Sequence, residues 1–306
     1  MTVLEVIQKS AEFLTKKGVE SPRLQTELLL AHVLKMPRMK LYLNFERILS
    51  AAELDVMREL VKRRGQREPL QHLVGATSFC GLEIAVNRQV LVPRPETELL
   101  AEAGWEFLAL HEGMAGRPLP AASLATNVGA HGVPRPTLTA LDFGTGSGCI
   151  AIVLAAKCPN AQVTALDSSA DALAVVQQNA ARNGVAERIQ FVPGDGFAAL
   201  PAGSRFDLII SNPPYIPTAE IPSLQPEVRD YDPRAALDGG PDGLDFYRML
   251  ATHAAGFLKP DGKIMVELGD GQVDAVRKIF EAQLWNVETV KEDYNQRPRI
   301  LIAGRG

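Results

Sequence analysis

Apolar positions recur at helical spacing through the first 67 or so residues and as short unbroken runs after residue 137. Val3, Val6, Ile7, Phe13 and Leu14 share one face of a helix predicted from Thr2 to Lys17, which Gly18 stops. Ser21-Pro22 reads as an N-cap with proline at the first helical position. That second helix runs through Leu28, Leu29, Leu30 and Val33 to about Met36. A short helix over Met39 to Asn44 follows, and Ser50-Ala51-Ala52-Glu53 is a capping box for a last one ending near Arg64. The alternation of Phe79, Leu82, Ile84 and Val86 with Val90 and Val92 predicts a strand pair turning at Asn87-Arg88. Pro93-Arg94-Pro95 breaks it, and Glu96-Thr97-Glu98 opens a helix. Beyond it, strands are expected at about 138–142, 162–167, 189–192, 206–210, 262–268, 286–291 and 299–303, most of them separated by helices. Apolar runs alternating with helices predict a doubly wound α/β sheet, with ligands at the carboxyl ends of its strands.

Between the two regions, residues 111–136 hold four prolines, four glycines and no apolar period, so a flexible surface loop is expected. The chain of 306 residues is long enough for two domains. Its 46% apolar and 22% charged content exclude a disordered or fibrous class. No apolar stretch approaches a membrane span. Met1 to Glu5 lacks the basic and apolar regions of a secretory signal, so a cytoplasmic protein is expected. Cys80, Cys149 and Cys158 lack metal-ligand spacing and read as buried reduced thiols. Five scattered histidines give no ligand pair, and no metal is expected.

Charge is unevenly spread. Residues 1–70 carry 13 basic and 9 acidic side chains, while the remainder carries 19 and 27. An acidic main body argues against a general grip on nucleic-acid phosphate. The basic stretch Lys62 to Arg67 is read as a solvated helix end, with contact to an RNA-bearing partner as the alternative.

Candidate chemistry sits after the predicted strands. The run Phe206 to Ile210 leads into Asn212-Pro213-Pro214-Tyr215. Two prolines remove two backbone donors and fix two φ angles, and Pro213 keeps Asn212 extended. The result is a stiff cradle of acceptors suited to a planar NH2 group. Upstream, the strand ending at Leu141 enters Asp142-Phe143-Gly144-Thr145-Gly146-Ser147-Gly148 and then an apolar helix. This is strand, glycine loop, helix, without the Gly-Lys-Ser/Thr of a P-loop. The acid before the first glycine suits an ammonium group, received directly or through water. Asp167 ends the next strand roughly 20 residues on, where a ribose-binding carboxylate is expected, and it can also cap the following helix. Asp195, in Gly194-Asp195-Gly196-Phe197, is a weaker candidate for reading an adenine amino group, since Gly-Asp-Gly is also ordinary turn chemistry.

With these motifs together, the sequence resembles the Rossmann-like S-adenosylmethionine-dependent methyltransferases, and more narrowly the HemK/PrmC-type protein-glutamine N5-methyltransferases. The resemblance rests on Leu141 to Gly148, Asn212 to Tyr215, Pro93-Arg94-Pro95-Glu96-Thr97-Glu98, the Asp232 to Leu244 stretch, Val266-Glu267-Leu268-Gly269 and Arg297-Pro298-Arg299. It runs from about Glu68 to the C-terminus. Asp232 stands where the family usually has glutamate, a shorter acid expected to weaken a structural ion pair, and Arg94 is read as a structural partner of an acid. Gly196 stands where some members place a tryptophan, leaving Phe197 as the candidate for stacking.

The resemblance implies a class I methyltransferase sheet, mostly parallel with seven strands and an antiparallel last strand. The domains are expected as a helical bundle at 1–70 read as substrate-recognising, with a mere stabilising cap as the alternative, a β-hairpin linker at 71–98 and the methyltransferase domain at 99–306. S-adenosyl-L-methionine would lie against Asp142, Gly144, Thr145, Gly146, Ser147, Gly148, Asp167, Asp195, Gly196, Phe197 and Asn212, leaving as S-adenosyl-L-homocysteine. Asn212, Pro213, Pro214 and Tyr215 would hold and methylate the glutamine of a Gly-Gly-Gln motif in peptide chain release factors. A monomer is expected, without stable nucleic-acid binding or membrane contact. The alternative is a DNA or RNA amino-methyltransferase using the same cradle on a base. A cofactor-binding scaffold without catalysis has no need of both motifs.

Overall fold

The computed structural model describes residues 1–115 and 137–306. Of the loop expected at 111–136, residues 111–115 instead continue the preceding helix, and 116–136 lie outside the described residues. The N-terminal region is helical, with α1 (Val3–Lys16), α2 (Pro22–Val33), α3 (Arg38–Leu41), α4 (Ala51–Gly65) and α5 (Leu70–Val74). Thr2 and Ser50 start α1 and α4 with capping boxes closed by Glu5 and Glu53. Ser21 is not the expected cap. Its φ is 45° and its side chain makes no capping bond, so Pro22 alone sets the start of α2. The bundle has its own core, including Val3, Ile7, Leu14, Leu29, Leu30, Leu41, Met57 and Leu73.

A short hairpin follows. β1 (Ala76–Phe79) pairs antiparallel with β2 (Leu82–Ala85). The chain does turn at Asn87-Arg88, where the Val90 amide donates to Asn87 O at 3.3 Å, but residues 90–92 form no strand, so the expected hairpin there is wrong. The hairpin turn is Cys80-Gly81, where both residues have positive φ (48° and 80°), as a two-residue type I′ turn requires. Val90 and Val92 are buried all the same, and their alternation with Phe79 and Ile84 mimicked a paired strand.

The remaining elements are α6 (Pro95–Ala115), β3 (Leu138–Phe143), α7 (Cys149–Lys157), β4 (Ala161–Asp167), α8 (Ala170–Arg182), β5 (Ile189–Pro193), β6 (Phe206–Ser211), α9 (Pro226–Arg229), α10 (Asp245–His253), β7 (Leu258–Glu267), α11 (Val273–Ala282), β8 (Trp285–Glu292) and β9 (Pro298–Arg305). The seven larger-sheet strands lie in the order β5-β4-β3-β6-β7-β9-β8, parallel except for β9. The period of two along each strand feeds two cores. Ala140, Ile210, Met265 and Ile300 face Leu100, Leu108, Ile150 and Val176 on one side. Leu141, Ile209, Val266 and Leu301 face Tyr247, Leu250, Val276 and Phe280 on the other. Strand order reverses between β3 and β6, so a crevice opens at their carboxyl ends. Ser211 Oγ donates to Phe143 O at 2.7 Å and ties those two ends together. Among the described residues, no helix is long and apolar enough to cross a membrane.

Candidate active site

A cavity of about 260 Å³ opens at this switch point. Its floor is the glycine loop between β3 and α7. Gly144, Gly146 and Gly148 have φ of +71°, +55° and +80°, conformations that cost an L side chain free energy. The amides of Gly144 and Thr145 both donate to Leu166 O at 2.9 Å, which folds the loop over the end of β4. A Cβ at Gly144 or Gly146 would meet nothing within 4 Å, because both face open space. At Gly148 it would lie 2.5 Å from Val176 Cγ1, so that glycine permits α7 to approach α8.

Asp142 lies beneath the loop, 1% exposed. Its Oδ2 accepts from Thr145 Oγ1 at 2.6 Å and from the Ala151 amide at 3.0 Å, while Oδ1 has no partner. Burial raises its pKa to about 7, with Thr145 and Ala151 opposing. Asp142 does not line the cavity, whereas Gly144, Thr145, Gly146 and Ser147 do. Asp167 lines the cavity from the end of β4. Its two oxygens accept from the amides of Gly146 (2.8 Å) and Ser169 (2.9 Å). Ser169, and not Asp167, supplies the side-chain cap of α8. Asp195 and Gly196 also line the cavity. Phe197 does not; it is buried against Phe143 and Phe257, with centroids 4.8 and 4.9 Å apart. The expected stacking face is therefore corrected to a core residue, because the positive φ of Gly196 (72°) turns the chain back into the protein.

The turn after β6 forms the adjoining wall. Asn212 and Pro214 line the cavity, while Pro213 is buried and Tyr215 packs into the core behind it. Gly239 and Gly243 lie hard against this turn: a Cβ on either would fall 2.9 Å from Pro214 O or 2.4 Å from Tyr215 O. Gln272 Nε2 donates to Tyr215 O at 2.9 Å. Asn212 Nδ2 donates to Thr97 Oγ1 at 3.0 Å, and Thr97 Oγ1 donates to Glu267 Oε2 at 2.7 Å. Glu267 is 1% exposed, and burial raises its pKa to about 7 against the hydrogen bond from Thr97 and the charge of Arg299. Burial also raises the Tyr215 phenol above its usual range.

Reading the sequence left several wall residues without a role. Gln89, Leu91, Thr97, Pro233, Ala236 and Phe246 all line the cavity. Thr97 stood inside the Pro93 to Glu98 motif, which was the available signal. Arg94 has the structural role expected for it, reaching Asp232 Oδ2 at 2.6 Å. The shorter acid therefore still closes the ion pair, and burial raises the Asp232 carboxyl above its ordinary range with Arg94 opposing. Cys149 and Cys158 are buried thiols, and Cys80 is half-buried.

Comparison with known proteins places this architecture. Residues 5–75 match the family profile described as PrmC N-terminal domain, and residues 124–223 match the methyltransferase small domain. A release factor glutamine methyltransferase from Geobacter sulfurreducens is 45% identical over 279 residues, 91% of this chain and 88% of that protein. A protein of the same name from Chlorobaculum tepidum is 41% identical over 303 residues, 98% and 96% of the two chains. A solved methyltransferase from Pyrococcus furiosus overlays with a TM-score of 0.49 at 21% identity, covering 75% of this chain and 91% of that one. On the identity and coverage of these relatives, the chain belongs to the release factor glutamine methyltransferase family.

Proposed function

We propose that the protein transfers a methyl group from S-adenosylmethionine to the side-chain nitrogen of the glutamine in the Gly-Gly-Gln motif of peptide chain release factors. One observation carries this reading: the Asn212 amide and the open face of the glycine loop belong to a single cavity at the ends of adjoining strands. The chemistry of the wall fits the cofactor. Gly144 and Gly146 leave room for a ligand to approach the backbone, and Asp167 and Asp195 supply carboxylate acceptors for hydroxyl or amino groups. S-adenosylmethionine bound there would supply an electrophilic methyl group, with S-adenosylhomocysteine as the product.

The protein's own residues supply position and charge. An amide nitrogen is a poor nucleophile because its lone pair is delocalised. Asn212 Oδ1, on the cavity wall, accepts a hydrogen bond from the substrate NH2, which fixes the nitrogen and favours its pyramidal form; the Pro213 carbonyl is a second acceptor only where the substrate reaches past the wall to this buried residue. Positive charge grows on that nitrogen during transfer, so these acceptors bind the transition state more strongly than the ground state. Tyr215 backs the turn and keeps water from it. The proton leaves to solvent after transfer. The helical bundle recognises the release factor, and the enzyme works as a monomer in the cytoplasm without stable nucleic-acid binding.

The test is transfer of labelled methyl to a release factor, its Gln→Ala variant and unmodified duplex DNA. Label on the wild-type factor alone is expected; label on DNA alone overturns the substrate. Asn212→Ala is expected to lower turnover by about 10²–10³, the usual loss for a removed transition-state hydrogen bond.

A further inference from the structure

Three elements converge behind the Asn212 side chain. Thr97 stands in the first turn of α6, Glu267 ends β7, and Asn212 follows β6. Thr97 and Glu267 are 2% and 1% exposed. Their hydrogen bonds form one line: Asn212 Nδ2 to Thr97 Oγ1 at 3.0 Å, and Thr97 Oγ1 to Glu267 Oε2 at 2.7 Å. The direction of that line follows from proton counting. An ionised carboxylate only accepts, and a hydroxyl has one proton to give. Thr97 must therefore donate to Glu267, and its oxygen can then only accept from Asn212. This orients a side chain whose two ends are alike in shape and opposite in hydrogen-bond sense. Asn212 Oδ1 accepts from none of the described residues, and Asn212 lines the cavity.

We propose that Thr97 and Glu267 are positioning residues for methyl transfer, holding the Asn212 amide with its nitrogen inward and its oxygen presented to the acceptor NH2. The inference rests on the role of Asn212 given above. A neutral Glu267 would permit the reverse order: the carboxylic acid donates to Thr97, Thr97 donates to Asn212 Oδ1, and the Asn212 NH2 then faces the substrate NH2. Two donors would confront each other and transfer would slow. The groups facing Glu267 set this balance. Arg299 on β9 favours its ionised form, Glu96 in α6 opposes it, and the Tyr215 phenol supports the carboxylate. The Tyr247 hydroxyl in α10 donates to the main-chain oxygen of Glu267 at 2.8 Å. Burial brings the carboxyl to about 7, so both orders fall within reach near neutral pH.

The test uses full-length protein, a release factor and saturating labelled S-adenosylmethionine, with single-turnover rates measured against pH. Thermal unfolding and S-adenosylhomocysteine affinity are measured alongside. Thr97→Val is expected to slow transfer on the order of 10–100-fold, with product affinity held to within about twofold, as misplacement of a reacting group does. Thr97→Ser keeps the hydroxyl and should recover most of the rate. On an Asn212→Ala background, Thr97→Val should change the rate by less than about twofold, because residues acting through one another are not additive. Glu267→Gln should abolish the rise in rate through neutral pH that the wild type shows. The relay is overturned if Thr97→Val transfers at the wild-type rate while Asn212→Ala is slow, or if its loss repeats in full on the Asn212→Ala background. A full-rate Asn212→Ala enzyme overturns the role of Asn212 itself, and the relay with it. Should Thr97→Val fail to fold, a wild-type pH profile in Glu267→Gln overturns the relay.

Discussion

Glu267 is a carboxyl at the end of a buried strand, with a pKa raised to about 7 from 4.5, first by burial. A raised carboxyl pKa means that the folded state keeps a proton the unfolded chain has released. Below about pH 4.5 both states are protonated and the group contributes no pH dependence; above pH 7 both are ionised. Between these limits stability falls as pH rises. Urea unfolding of the cofactor-free protein should show this against Glu267→Gln, which cannot ionise. The stability of the wild type relative to the variant is expected to drop by on the order of 1 kcal/mol per pH unit between pH 5 and 7. Asp142 shifts in the same direction, but it is common to both proteins and cancels in the difference. A constant difference across that range would mean that Glu267 titrates normally, with water reaching its carboxylate. A buried acid thus weakens the resting protein at the pH where its ionised form orients Asn212.

At the scale of elements, the parallel strands were legible because strands buried on both faces must be continuous apolar runs. The glycine loop and the turn at Asn212 were legible for a related reason: each is a local strand-end signal. The hairpin was misread, since the two-residue turn Cys80-Gly81 lacks the usual Asn-Gly signature, and buried Val90 and Val92 imitate a strand. That turn gives a clean test. Gly81 has φ of +80° and a Cβ there would touch nothing within 4 Å, so Gly81→Ala carries a backbone cost alone. It should lower stability by about 1–2 kcal/mol, the cost of left-handed backbone for an L residue. Gly81→Asn should lose less. Turnover with saturating substrates should be unchanged, because the turn does not line the cavity. Contacts between elements were not legible at all. Thr97 lies 115 positions from Asn212 and 170 from Glu267, and no local pattern reports such a pair.

At the scale of the molecule, the segment after the Asn212 to Tyr215 turn joins the helical bundle to the cavity. Arg64 Nη2 in the last turn of α4 and Arg67 Nε just beyond that helix both donate to Glu227 Oε1 in α9, at 2.7 and 2.6 Å. The Tyr231 hydroxyl donates to Gln66 O at 3.1 Å, and the Arg88 guanidinium lies 4.8 Å from the Tyr231 ring centroid. Asp232 is then held by Arg94, and Pro233 and Ala236 form cavity wall. The basic stretch at Lys62 to Arg67 is therefore not merely a solvated helix end, since Arg64 is buried in this clamp. Burial pushes the Glu227 carboxyl up, but hydrogen bonds from Arg67 and Arg64 outweigh it and leave the pKa below the ordinary value. The clamp is thus present at neutral pH and above about pH 4.5, and is lost only as pH falls through the depressed value. Glu227→Ala leaves Arg64 buried without its charge partner, which should cost about 3–5 kcal/mol in urea unfolding. If the bundle presents the release factor to the cavity through this segment, kcat/KM on the full-length factor should fall about tenfold or more in conditions where the variant remains folded, as imprecise placement of a reacting group does. Affinity for S-adenosylhomocysteine should hold, since among the described residues the hydrogen bonds of the clamp reach none of Gly144 to Gly148. An equal loss of cofactor affinity would instead assign the clamp to general stability, and unchanged kcat/KM would mean that the bundle does not orient the substrate through this segment.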